Sequence, residues 1–403
     1  MYLRKKMAYD AVIIGAGACG LMCGVQAGKL GKRVLILEGN DRIGAKILIS
    51  GGGRCNYTNL YADVDQYITR HPDLLARVMQ QWTVADTVDF FRQEGIEGKE
   101  KTLGQLFPLH KRAKDVVAVF SRLLQKYRVE LRLNSRVSRV EPGPEGTYLI
   151  RYNSGGQEKT LVTSKLVVAS GGLPVAKMGA TDLGLKIAQG FGLEIQETRP
   201  ALVPLTITGK DAPWFSALSG NTIYCRVSNA RASFMEQILF THWGLSGPAI
   251  LQISSYWRPG EQIKLDLLPG KSFAAIIRQE RELGGRRLLR QVLEGHFTQR
   301  FAQALGKFLP VETKIASLSK KQAQEADRLI HHFQIKIAGD KGYDKAEVMR
   351  GGVSAGALNP DTLEAFARPG LFYGGECVDI TGWLGGYNFQ WAWASGFVIA
   401  QAI

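Results

Sequence analysis

Two short, unbroken apolar runs, Ala11–Ile14 and Val34–Leu37, flank a stretch of helix length near the start of the chain. Runs without polar alternation belong to strands covered on both faces, the arrangement of a parallel sheet. The expected order is therefore strand, helix to about Leu30, strand. A further strand of the same kind, "KLVVASGG" (Lys165–Gly172), returns after a hairpin-like region made of "ELRLNSRVSRV" and "TYLIRYNS". Much later "GLFYGGECVDITGWLGGYNFQWAWASG" repeats the sequence strand, glycine turn, helix. The closing "NFQWAWASGFVIAQAI" is apolar but shorter than the roughly 20 residues that span a bilayer, so it predicts a buried helix. Between these segments, alternating strand patterns run until Pro269–Gly270, where helical periodicity takes over.

The turn after the first strand adds chemistry to this pattern. Gly15, Gly17 and Gly20 stand in G-x-G-x-x-G spacing, with Ala16 between the first two. The first glycine permits a tight turn, the second lets a pyrophosphate reach the backbone, and the third lets the helix pack on the strand. The helix N-terminus then offers its positive dipole end to the phosphates. Glu38, at the end of the second strand, is placed to accept hydrogen bonds from an adenosine ribose and to repel a 2′-phosphate. Cys19 and Cys23, four residues apart on that helix, read as small packing residues.

Composition changes the picture less. Apolar content of 45% and charged content of 22% over 403 residues are those of an ordinary globular chain with room for two or three domains. The five cysteines are scattered without a CxxC pair, which suggests neither a disulfide framework nor a metal site, and a reducing cytoplasm fits. The N-terminal Met1–Tyr9 reads as a short basic leader, since the apolar run after it enters a glycine motif rather than a cleavage site. The net charge of +15 is the unusual quantity; it favours anionic partners such as nucleic acid, or is simply a basic, solvated surface. No protein partner and no membrane association are read from the sequence.

The first motif alone does not separate FAD from NAD. The later returns to the sheet, with the nucleotide fold closed by the C-terminus, resemble flavoproteins of the two-dinucleotide-binding type. In that scheme Val137 lies on a strand whose backbone holds the adenine, and Ser170, Gly171 and Gly172 form a second turn near the cofactor. Gly375, Glu376 and Asp379 sit where such proteins hold the ribityl chain. Gly385 and Gly386 precede the last helix, whose first residues, Tyr387 and Asn388, would face the pyrophosphate or the flavin. The run "ISGGGRCNYTN" (Ile49–Asn59) would fold back over the cofactor. Gly51 and Gly52 would let backbone amides approach it, Asn56 would supply a hydrogen bond and Arg54 a positive charge, and Cys55 would pack beside it.

The segments "GAKILISGGGRCNYTN", "VVASGGLPVAKMGATDLGLKIAQGFG", "FTHWGLSGPAILQIS" and "GECVDITGWLGGYNFQWAWASG" together resemble the BaiN-like bacterial flavoproteins, the aminoacetone-oxidase family. The resemblance extends over nearly the whole chain and is strongest to the YhiN-type branch, through "EKTLGQLF" and "DITGWLGGYNFQWAW". It implies an α/β fold with a Rossmann-like FAD-binding domain (1–192 and 340–403). A β-barrel-like domain (193–271 and 331–339) would take in "LVPLTITG", "NTIYCRVS", "FMEQILFTH", "IKLDLLPG" and "FQIKIAG", and a helical insertion would occupy 272–330. Members of that branch are implicated in making dihydrouridine in large-subunit (23S) ribosomal RNA, and others in amine oxidation or steroid enone reduction. The sequence departs from the pattern at Met349 and Arg350, beside the expected flavin face, and at Pro108, where some relatives carry Cys.

An FAD-dependent reductase of a uracil C5–C6 bond needs a hydride from the flavin and one group to deliver a proton. Cys55, Tyr57, His242 and Tyr387 are the candidate proton donors, and Arg350 is a candidate to hold a phosphate or a carbonyl. No second G-x-G-x-x-G offers an NAD(P)H site, so a nicotinamide donor would dock transiently. In residues 273–335 there are 11 Lys or Arg against 6 acids, a surplus that suits ribosomal RNA phosphates or a solvated face. Two other readings stay open: a small-molecule amine oxidase or enone reductase, and a non-enzymatic, flavin-bound RNA-binding factor.

Overall fold

The computed structural model describes residues 8–403. Through residue 7, the basic leader lies outside the described residues. The chain divides into two compact units, residues 1–199 with 348–403, and residues 200–347. Both crossings fall a few residues further along than the boundaries expected at 192 and 340. The cause is local: the chain stays with the first unit into a strand, Ile195–Ala201, which neighbours the returning strand Val348–Val353.

The first unit is built on a five-stranded sheet in the order Leu371–Tyr373, Leu166–Val168, Ala11–Ile14, Val34–Leu37, Glu130–Arg132. Every neighbouring pair is parallel, with registers such as Val12↔Leu35 and Val12↔Leu166. Each residue of the two founding strands is buried, as their unbroken apolar runs require. Helices Ala18–Lys29 and Tyr387–Ala402 pack together in the core, and Trp391 and Trp393 of the latter are almost wholly buried. Their approach is close: a Cβ at Gly396 would stand 2.4 Å from the carbonyl oxygen of Cys19. Cys19 and Cys23 are buried in this contact, and burial pushes the Cys19 thiol up to about 12.

The hairpin-like reading of "ELRLNSRVSRV" needs correction. Glu130–Arg132 joins the parallel sheet as its edge strand, and a left-handed Asn134 (φ 49°) breaks the chain there. Only Ser135–Pro142 then enters a three-stranded antiparallel sheet with Tyr148–Ser154 and Gln157–Thr163.

The second unit holds a seven-stranded antiparallel sheet, ordered Phe333–Lys336, Gln262–Asp266, Thr222–Ser228, Ser233–Thr241, Gly244–Ser246, Leu205–Thr206, Gly339–Asp340. Its two edge strands are consecutive in the chain, with only residues 337 and 338 between them. At roughly 3.3–3.6 Å per residue that link spans about 10 Å, so the sheet has to roll until its edges meet. This is the barrel-like element. Helices Phe273–Glu282, Leu289–Glu294, Gln299–Ala304 and Lys320–His331 belong to the same unit. The first begins at Ser272, whose hydroxyl accepts from the Ala275 amide. Trp214 Nε1 donates to the Ala304 carbonyl (2.8 Å), tying these helices to the barrel.

Candidate functional site

The first glycine turn is locked from two sides. Gly15 has φ 102°, and a Cβ there would meet the Ala169 oxygen at 2.5 Å. A Cβ on Gly20 would lie 2.0 Å from the Gly15 oxygen, so helix and turn touch backbone to backbone. Gly17, at the helix N-cap, differs: nothing lies within 4 Å of its Cβ position. That open side is where a phosphate can approach the amides of the first helical turn. Glu38 holds the turn directly. One carboxylate oxygen accepts from the Ala16 amide (2.7 Å) and the other from Asn40 (2.9 Å). Its remaining lone pairs are those left for a ribose.

The glycine run after it is a helix followed by a left-handed turn. Residues from Ala45 are helical, Ser50 breaks out at ψ 146°, and Gly51, Gly52 and Gly53 follow at φ 55°, 68° and 78°. Side chains rarely adopt such a succession, which accounts for three glycines in a row. Gly52 is exposed and nothing lies within 4 Å of its Cβ position. Beyond the turn the chain dives inward. Cys55 is fully buried, burial raises its thiol to about 12, and Asn56 is buried with its side-chain oxygen unpartnered. Arg54 stays at the surface, with its guanidinium 5.2 Å from the centre of the Phe107 ring and Nε donating to the Gly51 carbonyl.

The turn that opens the last helix comes against this loop from the far end of the sequence. Gly385 (φ 111°) and Gly386 (φ 100°) both require glycine. A Cβ at Gly386 would stand 2.3 Å from the Thr58 oxygen and 2.9 Å from Asn56 Oδ1. The Gly385 carbonyl accepts from Asn59 Nδ2 (2.8 Å), and Thr58 Oγ1 donates to Gln390 Oε1 (2.7 Å). Tyr387 is buried, and its carbonyl accepts from the Tyr67 hydroxyl (2.8 Å). The side chain of Asn388 is occupied locally: it accepts from the Gly382 amide and donates to the carbonyls of Gly382 and Trp383. It fixes the turn by that bracing.

The acidic turn is likewise committed. Glu376 pairs with Lys46 (2.7 Å) through one oxygen and accepts from the Met349 amide (3.0 Å) through the other. Lys46 was invisible to sequence reasoning, because its partner lies 330 residues away and neither position belongs to a spaced motif. Gly375 donates to Ser395 Oγ (2.9 Å) and packs against Cys19. Asp379 is buried; burial raises its carboxyl, and the charges of Arg350, Arg70 and His71 oppose the rise. Met349, next to Arg350 in the strand Val348–Val353, is buried, and its carbonyl accepts from Thr381 Oγ1.

Val137 is buried on its strand, and the ladder slips between it and Arg139, a bulge of the kind that leaves backbone groups unpaired. Ser170 Oγ is buried with no partner, and nothing lies within 4 Å of the Cβ position of Gly171 (φ 76°). Tyr57 is fully buried under Gly98, its phenol unpartnered and raised to about 12 by burial. His242 belongs to the second unit. It stands exposed with Trp243 in the two-residue turn of a hairpin whose closing pair is Thr241↔Gly244, the rings 4.1 Å apart.

The first unit thus gathers the two glycine turns, the left-handed glycine loop, Glu38, Ser170, Glu376, Asp379 and Arg350. Unpartnered Asn56 Oδ1 and Ser170 Oγ, with open backbone at Gly17, Gly52 and Gly171, fit a long polar ligand such as FAD. The family description "HI0933-like protein Rossmann domain" matches residues 9–402. The chain belongs to this family. As a member of the HI0933-like family it has the FAD-binding Rossmann-type fold of an FAD-dependent oxidoreductase. It is 38% identical over 395 residues to a ribosomal RNA dihydrouridine synthase of Escherichia coli (strain K12), covering 98% of this chain and 97% of that one. The corresponding synthase of Haemophilus influenzae is 36% identical over 98% of both chains. A 3-dehydro-bile acid delta(4,6)-reductase of Clostridium scindens is 29% identical over 97% of this chain and 98% of that one. In fold, the HI0933-like chain also matches a 3-ketosteroid delta1-dehydrogenase from Sterolibacterium denitrificans (TM-score 0.52, 12% identity, 98% and 100% covered). Among the described residues, no helix is long and apolar enough to cross a membrane, and no group of three His, Cys, Asp or Glu could hold a metal ion.

Proposed function

We propose that the protein is an FAD-dependent reductase that converts a uridine of large-subunit ribosomal RNA to dihydrouridine in the cytoplasm. The observation that carries this reading is the correspondence, over nearly the full length of both chains, to two ribosomal RNA dihydrouridine synthases at 36% and 38% identity. The net charge of +15 supports an anionic substrate.

Glu38 and the amides beyond Gly17 would bind the adenosine and pyrophosphate, and the bulge at Val137 the adenine. Ser170, Asn56, Gly51, Gly52 and the turn Gly385–Gly386 would line the rest of the cofactor. Once bound and reduced, FAD supplies the hydride for one carbon of the uracil double bond. The protein has to orient the base, exclude water and deliver a proton to the other carbon. Tyr387, at the head of the last helix, is our candidate for that proton. Arg350, beside Asp379, would hold a phosphate or a uracil carbonyl. NAD(P)H, docking transiently, is the proposed electron source.

Mapping dihydrouridine in large-subunit RNA from a strain lacking the gene tests the reading. Loss of one site, restored by the wild-type chain, is expected; an unchanged profile would remove it. The second reading, an enone reductase of small molecules, is favoured by the bile-acid relative. It predicts NAD(P)H oxidation dependent on a steroid enone and indifferent to RNA.

A further inference from the structure

The hairpin formed by Gly98–Glu100 and Gln105–Pro108 presents two faces. Gly98 and Leu106 cover Tyr57. Lys99 pairs with Phe107 across the strands, and the Lys101 amide bonds the Gln105 carbonyl, so Lys99, Lys101, Gln105 and Phe107 share the other face. This second face rests on both glycine loops of the candidate site. Phe107 Cε1 stands 2.8 Å from the Cβ position of Gly51, and Gln105 reaches the Cβ position of Gly385 at 3.0 Å. Arg54 and Lys101 lie 5.2 and 5.9 Å from the centre of the Phe107 ring.

At the hairpin tip a second loop joins it. Leu60 donates to the Gly104 carbonyl (2.8 Å), Asn59 Nδ2 to the Leu103 carbonyl (3.0 Å), and the Tyr61 ring lies on Gly104. The result is a patch of large apolar side chains that nothing in this unit covers: Tyr61 is 62% exposed, Leu103 57% and Leu60 42%. At the same hairpin, Arg54, Lys99 and Lys101 gather around Phe107. Of the acids close by in sequence, Glu97, Glu100, Asp63 and Asp65, Glu100 is engaged by the Gly104 amide and Asp63 by the Val64 amide.

We infer that this patch is the platform on which an unpaired stretch of the RNA substrate lies while its target base enters the flavin site. Exposed aromatic and apolar surface interleaved with cations is what single-stranded nucleic acid uses, bases stacking and phosphates pairing with Lys and Arg. The +15 charge of the chain makes an anionic occupant the favoured one over a second copy of the chain. The inference rests on the RNA-reductase reading and locates the substrate contact in the flavin-binding unit rather than on the basic helices of residues 273–335.

The test uses purified, flavin-loaded protein and a fluorescein-labelled uridine oligoribonucleotide, with affinity read by anisotropy across a salt series. Tyr61→Ser and Lys101→Glu should each weaken binding about tenfold while bound-flavin absorbance is unchanged. Lys101→Glu should also flatten the salt dependence by about one to two unit charges. Affinities within twofold of wild type for both variants, with Arg286→Glu or Lys321→Glu abolishing binding, would overturn the platform and leave the RNA reading intact. A wild-type protein with no RNA affinity and no dihydrouridine phenotype would remove both. Unchanged RNA affinity with a dimer that Tyr61→Ser dissolves in gel filtration would reassign the patch to self-association.

Discussion

The first glycine turn and the glycine loop at residues 50–56 both border the candidate flavin site, yet they are held in opposite ways. Around Gly15–Gly20, contacts are backbone on backbone, and Gly20 bonds its fate to a partner five residues away. The glycine loop and its flanks, Lys46 before it and Thr58 and Asn59 after it, meet the segment Glu376–Gln390, more than 300 residues further on, through side-chain hydrogen bonds and one half-buried ion pair. At Gly15 and Gly20 the first arrangement tolerates no added atom, while Gly17 between them stays open. The second is a clasp of separable parts, each of which can be weakened without destroying the fold.

The sharpest way to break this contrast is within the first turn itself. Gly20→Ala puts a methyl 2.0 Å from a backbone oxygen that cannot move without displacing the strand. We expect a loss on the order of 4 kcal/mol or more, read as insoluble protein or a collapsed thermal midpoint. Gly17→Ala should do the reverse. Its φ of −79° suits any residue and its Cβ position is open. The apo-protein should stay within about 1 kcal/mol of wild type, while FAD affinity, followed by flavin fluorescence, drops at least about tenfold. Equal loss of stability in both variants would erase the distinction between a packing glycine and a ligand-facing one.

Lys46→Met tests the clasp. It leaves Glu376, with 18% of its side chain accessible, without its cation but still bonded to the Met349 amide. A cost of about 1–2 kcal/mol in chemical denaturation is expected, less than for a fully buried pair because water reaches both groups. Flavin content should fall with it, since the turn at Gly375–Asp379 loses its tether to the helix of the glycine loop. A variant as stable and as yellow as wild type would show that the ion pair is incidental.

Sequence legibility divides along the same line. Gly15, Gly17, Gly20 and Glu38 were readable because the turn, the helix and the next strand carry their constraints within one short stretch. Asn56, Gly386 and Ser170 were placed only through a resemblance, since nothing in their spacing reveals that chain ends meet. Lys46, and the commitment of the Asn388 side chain to Gly382 and Trp383, were not visible at all. In the second unit, periodicity marked the change from strands to helices at Pro269–Gly270. The rolled sheet was implied only by family likeness, because strand order is set by pairing between distant segments. Glu130–Arg132 was taken for a hairpin strand because periodicity does not tell a parallel edge from an antiparallel partner.

A pH series extends the comparison to charge. Asp379 has a raised carboxyl pKa in the fold, caused first by burial. The folded state therefore holds its proton more tightly than the unfolded chain. Stability contributed by this group is greatest at low pH and declines as pH rises through the raised pKa. In apo-protein, Asp379→Asn should raise the melting temperature by a few degrees at neutral pH and flatten the mildly acidic part of the profile. An unaltered profile would mean that Arg350, Arg70 and His71 already neutralise the carboxylate.

The smallest effect is expected at the residue that looks most reactive in the sequence. Cys55 follows three glycines and an arginine and borders the candidate site, but it is wholly buried and its thiol is raised to about 12. At pH 7 a thiol of that pKa is ionised on the order of one part in 10⁵, too little for a nucleophile or a fast proton relay. Cys55→Ala should leave kcat within about twofold and cost about 1 kcal/mol for the small void. Its left-handed φ of 62° is no worse for alanine than for cysteine, so no extra backbone strain enters. A fall in kcat of a hundredfold or more with flavin fully bound would mean that the loop opens during turnover and brings the thiol to the substrate. The clasp at residues 50–56 would then be a moving part, and the division between a locked turn and a static loop would have to be redrawn.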